Sequence, residues 1–274
     1  MKLLLKLMFV GAGYAGYQAQ NDDASPKPSI QRTLTAVFSE GFGRPMRVTG
    51  CSRTDAGVHA TGFCAAVEPY DLGSPGCADS PEDWLRIPVG KVHRAMNRYL
   101  PPDISIAGEA AVDDAFHPRY SAVGKTYVYR MTDAPWKDPF TAGFAWQLPK
   151  PLTEDGLCRM RRAAACIPGE RDFTSFMAAG SKIRDARRTV KSLTVERDGA
   201  HSILLTVSAD GFLYHMVRII AGTLADCAAG TMDPDSLPAV IEAKDRSGAG
   251  RTAPAHGLYL ADVDYGRPID WKCN

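Results

Sequence analysis

The sequence has no C-x-x-C pair among its seven cysteines, Cys51, Cys64, Cys77, Cys158, Cys166, Cys227 and Cys273. Their odd number and wide scatter argue against a disulfide framework or a structural zinc site, and fit a reducing compartment, so a cytoplasmic location is expected. Long apolar runs are also missing. The stretch from Leu3 to Val10 is interrupted by Lys6 and carries no small-residue cleavage signature. It is too short for a membrane span and is expected to be a first strand rather than a signal peptide. Net charge is almost absent: 32 Lys+Arg against 31 Asp+Glu leave +1, which neither indicates nor excludes a nucleic-acid partner, since only a local patch decides that. No short-period repeat or low-complexity tract is present.

What is there suits one large domain or two of ordinary size: 274 residues, 45% of them hydrophobic, enough to bury a sizeable core. After the first strand and a glycine-rich loop, Ser29 is a plausible N-cap for a helix with Ile30, Leu34, Val37 and Phe38 on one face. Met46–Gly50 and His59–Val67 read as strands flanking a Thr-Asp-Ala-Gly turn, and Tyr70–Pro81 as a surface loop. A second helix carries Val89, Val92, Met96 and Tyr99 and stops at Pro101. A strand follows with Ile104, Ile106, Ala110 and Val112 on one face, and Gly108 marks a bulge in it. A domain boundary is expected here, giving residues 1–109 and 110–274. The second half repeats the mixture: a strand through Tyr127 and Tyr129, a helix from about Thr153, strands around Leu193 and Ile203–Val207, a helix with Leu213, Val217, Ile220 and Leu224 on one face, a short helix near Val240 and a last strand over Leu258–Val263. Groups of strands separated by helices point to an α+β fold with mainly antiparallel sheet.

Gly11-Ala12-Gly13-Tyr14-Ala15-Gly16 is a literal G-x-G-x-x-G after an apolar strand, and Glu40 stands where a dinucleotide fold places its ribose-binding acid. That reading requires a helix to open at once, so that its terminal amides hold the pyrophosphate. Tyr17 to Pro28 has no helical apolar face and contains two prolines, so a nicotinamide oxidoreductase is a rival and not the favoured reading. The glycines are expected to permit a tight, close-packed loop.

Gly50-Cys51-Ser52-Arg53-Thr54-Asp55-Ala56-Gly57-Val58-His59-Ala60 gathers a carboxylate, a guanidinium and an imidazole in one turn. By its residues alone, Asp55 is more readily a turn residue bonding its own backbone. The segment, however, closely resembles the G-R-T-D-A-G-V-H-A signature of the TruA-type tRNA pseudouridine synthases. Three further stretches match that family in the same order: Phe116-His117-Pro118-Arg119-Tyr120-Ser121-Ala122 with Lys125-Thr126-Tyr127-Val128-Tyr129; Asp172-Phe173-Thr174-Ser175-Phe176 with Phe212-Leu213-Tyr214-His215-Met216-Val217-Arg218; and Ala243-Lys244-Asp245-Arg246 with Thr252-Ala253-Pro254-Ala255 leading into Gly257-Leu258-Tyr259-Leu260. The resemblance covers nearly the whole chain. It departs from the family pattern at Val10, where an acid is usual, at Tyr17, where tryptophan is usual, and at Cys51-Ser52.

The resemblance implies two ferredoxin-like halves joined side by side through their sheets, with the active site in the cleft between them. It implies Asp55 as the nucleophile, Tyr127 as the aromatic residue that meets the target base, and Arg218 as the cation paired with Asp55, holding that carboxylate ionised in a dry pocket. Taken without it, Tyr127 reads as a cross-strand aromatic and Arg218 as a surface ion pair. Arg53 is placed to fill the space vacated by a flipped base or to hold a flanking phosphate, against the plainer reading of a solvated salt-bridge arginine. His59 with Cys51 and Cys64 matches no standard zinc spacing, so neither metal nor cofactor is expected. Lys182, Arg184, Arg187, Arg188 and Lys191 form one cationic cluster and Arg159, Arg161 and Arg162 another; each reads as a phosphate contact or as a solvated face. The implied partner is tRNA, modified at uridines of the anticodon stem-loop just beyond the anticodon, and a homodimer is implied. A silent RNA-binding protein of the same fold is the remaining rival.

Overall fold

A computed structural model describes residues 1–19, 26–70, 84–180 and 183–273. Most of the expected Tyr70–Pro81 loop, Cys77 and Lys182 lie outside the described residues. The chain divides into two compact units, Met1–Val123 with Leu260–Asn274, and Gly124–Tyr259. The boundary expected after residue 109 falls inside a strand, so it moves to Val123, and the C-terminal segment returns to the first unit.

The first unit runs β1 (Lys2–Phe9), α1 (Ile30–Phe42), β2 (Met46–Gly50), β3 (His59–Pro69), α2 (Val92–Met96) and β4 (Ile104–Val112). Its strands lie in the order β4-β1-β3 with β2 beside β3, every pair antiparallel. That β-α-β-β-α-β succession is ferredoxin-like. Leu3, Leu5 and Leu7 of the inner strand β1 form its fully buried face, and Leu4 is buried on the other, where Lys6 is half-buried and Met8 exposed. Ser29 caps α1 by accepting from the Arg32 amide, Ile30, Leu34, Phe38 and Phe42 form its buried face, and Gly43 ends it at φ 65°. Val37 is only half-buried, so Phe42 completes the face in its place. The bulge expected at Gly108 is present: Lys6 pairs with Gly108 and Leu7 with Ile106, leaving Ala107 as the extra residue.

The second helix differs from expectation. It has five residues, and Tyr99 is 67% exposed rather than on its apolar face. The Asn97 side chain ends it by bonding both the amide (2.8 Å) and the carbonyl (3.0 Å) of Ile106. No local side chain caps its start. Glu109, fully buried on β4, does so from a distance: its carboxylate accepts from the amides of Gly90, Val92 (2.9 Å) and His93 (2.5 Å).

The second unit contains β5 (Gly124–Thr132), β6 (Trp146–Gln147), α3 (Glu154–Ala164), β7 (Gly169–Asp172), β8 (Arg187–Asp198), β9 (Ser202–Ala209), α4 (Met216–Ala228) and α5 (Leu237–Ala243). The strand order is β5-β9-β8-β7, antiparallel throughout, and β6 pairs parallel with β5. β10 (Leu258–Asp264) begins in this unit and finishes in the first. Tyr127, Tyr129 and Met131 alternate along β5 and face Val207, Leu205 and Ile203 across the ladder, all buried. Thr153 caps α3 through the Gly156 amide. Leu213, Val217, Ile220 and Leu224 are buried as their spacing predicts, with Leu213 just ahead of α4. Each unit is thus α+β with mainly antiparallel sheet.

Asp133, 2% exposed, anchors the far end of β5. Burial alone would raise its pKa, but Arg197 (3.0 and 3.3 Å) and the Leu152 amide (2.9 Å) outweigh it and hold the carboxyl below its ordinary 3.8. A depressed carboxylate contributes stability that is present above the ordinary value and lost as pH falls through the folded one. Arg197→Met is therefore destabilising near neutrality, and its difference from wild type shrinks as denaturant midpoints are taken down through the carboxylate range. Glu109→Ala, which orphans buried amides, lowers unfolding free energy by about 3 kcal/mol, read as a lower urea midpoint at unchanged slope.

Candidate active site

The turn that carries Asp55 leaves β2 and enters β3. The ladder stays closed to its edge, because the Cys51 amide donates to the Cys64 carbonyl (2.8 Å) and the Cys64 amide to Cys51 Sγ (3.4 Å). The Val58 amide then closes the turn on the Asp55 carbonyl (3.1 Å), with Gly57 at φ 81° in its third position. That is a type II turn, whose third position favours glycine. Thr54, Val58 and His59 point inward and are buried, whereas Arg53 is exposed and Asp55 half-buried.

The glycine-rich loop holds this turn from the other side. Its first residues, Gly11–Gly13, make a single 3-10 turn, and among the described residues no helix follows before Ile30, so the helix that a dinucleotide site needs directly after Gly16 is not formed. A Cβ on Gly11 would sit 2.0 Å from the Val58 carbonyl oxygen, and one on Gly16, at φ +99°, 2.5 Å from that of Thr54. The Tyr17 amide donates to the Thr54 carbonyl (3.2 Å) and the Gly11 amide to His59 Nδ1 (3.1 Å). These glycines let two backbones meet, which a side chain would prevent. Tyr17 stacks on Phe63 at 4.3 Å between ring centres and lies so close to Gly50 that a Cβ there would fall 2.3 Å from its ring. Burial, and next Cys51, hold its phenol well above the ordinary range, and its hydroxyl has no hydrogen-bond partner among the described residues. His59, 1% exposed, is a structural tie between loop and turn. Among the described residues no group of three or more His, Cys, Asp or Glu is placed to hold a metal.

In the second unit, Tyr127 is 6% exposed on β5, with its ring edge-on to Phe212 at 4.9 Å. Arg218 stands in the first turn of α4, half-buried. A strap over residues 250–254 fixes it: Arg218 Nε donates to the Ala253 carbonyl (2.8 Å), the Ala253 amide to the Arg218 carbonyl (3.0 Å), and the Gly250 amide to Thr223 Oγ1 (2.9 Å). Gly222 makes the approach possible, since a Cβ there would lie 1.8 Å from the Arg251 carbonyl oxygen. Tyr129, next inward on β5, donates to the Pro254 carbonyl (2.8 Å), and burial raises its phenol while Arg218 opposes the rise. The Thr252-Ala253-Pro254-Ala255 segment is thereby a brace for Arg218, a role that its residue types did not announce.

The two cationic clusters separate. Arg159 donates to the carbonyls of Cys227 (3.2 Å) and Ala228 (3.0 Å) at the end of α4, Arg161 to Val195 (3.0 Å), and Arg162 pairs with Asp235. Those bonds tie α3 to its neighbours, with Arg159 half-buried and Arg161 and Arg162 exposed. In the other cluster Arg184 and Arg187 are exposed, and Arg187 holds the Asp185 carboxyl down at about 2 through paired hydrogen bonds of 3.0 and 3.1 Å.

Residues 163–266 match the protein family described as tRNA pseudouridine synthase. A tRNA pseudouridine synthase A of Ruminiclostridium cellulolyticum is 36% identical over 264 residues, covering 96% of this chain and 99% of that one. Counterparts from Moorella thermoacetica and Bacillus subtilis are each 37% identical, over 96% and 97% of this chain and 99% of their own lengths.

Gly16→Ala, which meets both a left-handed φ and the Thr54 carbonyl, costs about 2 kcal/mol or more in denaturant unfolding. Tyr17→Phe removes a buried hydroxyl that has no partner among the described residues and raises stability by about 1 kcal/mol, visible as a higher urea midpoint.

Proposed function

Because this chain belongs to the tRNA pseudouridine synthase A family, we propose that Asp55 is the nucleophilic carboxylate with which it works. The protein is an isomerase that converts uridine to pseudouridine in tRNA. The observation that carries the assignment of Asp55 is the turn itself: a half-buried carboxylate beside an exposed Arg53, held by backbone-to-backbone contacts on both sides.

Isomerisation breaks the bond between uracil N1 and the ribose anomeric carbon, turns the base, and joins C5 to that carbon. The proton lost from C5 is matched by the one gained at N1, so atoms and charge balance with no oxidant or reductant, and this reading assigns no cofactor. The separated base must be kept from diffusing away while it turns. In this reading Tyr127 stacks on the uracil and its hydroxyl helps to remove the C5 proton. Arg218 is the supporting cation of the site; the strap that fixes its Nε supports this, because a braced guanidinium acts with little reorganisation. Arg53, exposed two residues before the nucleophile, takes the place of the extruded base or holds the neighbouring phosphate. The substrate uridines are those of the anticodon stem-loop just beyond the anticodon, the working form is a homodimer, and the location is cytoplasmic. Among the described residues no helix is long and apolar enough to cross a membrane.

Incubation with unmodified tRNA, followed by carbodiimide-dependent reverse-transcription stops, gives pseudouridine in the anticodon arm with wild type and none with folded Asp55→Asn. Tyr127→Phe lowers kcat by about 100-fold with KM nearly retained. Tight tRNA binding by well-folded wild type without product on several tRNAs would return the protein to the silent RNA-binding class.

A further inference from the structure

We propose that the His117–Ser121 loop of the first unit is an additional RNA-contact element, in which Tyr120 stacks on an unpaired base, Arg119 meets an adjacent phosphate, and His117 is the positioning residue that holds both. The inference rests on the tRNA reading above and adds to it a part of the substrate site outside the Asp55 turn.

The loop is built and then left uncovered. Its flanks are fixed: Lys2 Nζ donates to the Phe116 carbonyl (3.2 Å), the Tyr265 hydroxyl to the buried Pro118 carbonyl (3.1 Å), and Phe116 packs on Tyr265 at 4.9 Å between rings. The loop closes on itself, with the Ser121 amide on the His117 carbonyl (2.9 Å) and the His117 amide on Ser121 Oγ (3.1 Å). His117 Nδ1 accepts from the amides of Arg119 (3.1 Å) and Tyr120 (3.3 Å). This bond to the residue two ahead reproduces an Asx-turn with an imidazole. Yet the two residues so organised face solvent: Tyr120 is 77% exposed, with one side of its ring 4.4 Å from His117 and the Arg119 guanidinium 5.6 Å from its centre. The nearby acids are engaged, Asp113 with Arg267 and Asp114 with the N-terminal ammonium, whereas Arg119 makes no ion pair among the described residues. A pre-ordered aromatic with a cation beside it has the chemistry of a stacking platform for single-stranded nucleotides, since every base offers a π face and every linkage a phosphate.

Nδ1 accepts only while His117 is neutral. Burial, then Lys2 from β1 and, more weakly, Arg119 from the loop, lower its pKa below the ordinary 6.5, against the upward pull of a hydrogen bond with its own backbone and a smaller one from Glu68 on β3. The loop is therefore ordered at neutrality and loosens as pH falls through that lowered value.

The test is steady-state modification of full-length tRNA by the whole chain. Tyr120→Ala raises KM about 10-fold and keeps kcat, whereas Tyr120→Phe stays near wild type. Arg119→Ala reduces the salt slope of tRNA binding by about one phosphate. His117→Leu reproduces the KM defect, and His117→Asn, whose amide oxygen restores the turn, rescues it and removes the rise of KM at low pH. Circular dichroism melts of each variant confirm folding, and crosslinking of 4-thiouridine-substituted tRNA to the Tyr120 peptide gives a reading independent of substitution. Wild-type KM in Tyr120→Ala, a loss confined to kcat, or absence of the crosslink overturns the proposal. Failure of wild type itself to form pseudouridine strikes instead at the reading on which it rests.

Discussion

Two backbones come closer at the Asp55 turn than side chains permit, and the rest of the first unit is arranged around that approach. Gly11 lies against Val58 and Gly16 against Thr54, at separations where a methyl group would overlap a carbonyl oxygen. The loop between them therefore adds rigidity to the turn without occupying the space in front of it. His59 and Tyr17 finish the clamp, one accepting the Gly11 amide and the other filling the volume over Gly50 and Phe63. A carboxylate on a short turn between strands is otherwise a mobile group, and catalysis by positioned groups gains most when the position is set before substrate arrives.

The second unit uses the same device at α4. Gly222 admits the 250–254 strap, which exchanges a main-chain hydrogen bond with Arg218 and takes its Nε, while Tyr129 closes on Pro254 from β5. Glycine in a helix interior costs stability relative to alanine, and here that cost is offset by a braced guanidinium. In both units the polar group implicated in function stands on a regular element or a tight turn and is supported by backbone from a segment distant in sequence.

Much of this was legible in residue order. The capping serine and threonine at positions 29 and 153, the alternation through Tyr127 and Tyr129, the bulge at Gly108 and the buried face of α4 follow from local chemistry. The second helix was not: its start depends on Glu109 and its end on an Asn97 bond to Ile106, both tertiary, so periodicity through Val89 and Tyr99 overran it. The arginines of α3 were equally unreadable as helix docks, because nothing in a run of cations tells whether carbonyls or solvent lie opposite. The brace on Arg218 carried no local signal beyond the glycines themselves.

The sequence by itself determined the α+β class and most of the element order, with the short strands β6 and β7 left unread, because capping and alternation act over a few residues; the candidate carboxylate was singled out by the resemblance of its contiguous signature. Only the tertiary structure decided where the division between units falls, which backbone the glycine-rich loop meets, and which cations bond to neighbouring carbonyls. Those outcomes depend on what a residue meets from dozens of positions away, and neither spacing nor composition encodes the partner on the far side of a contact.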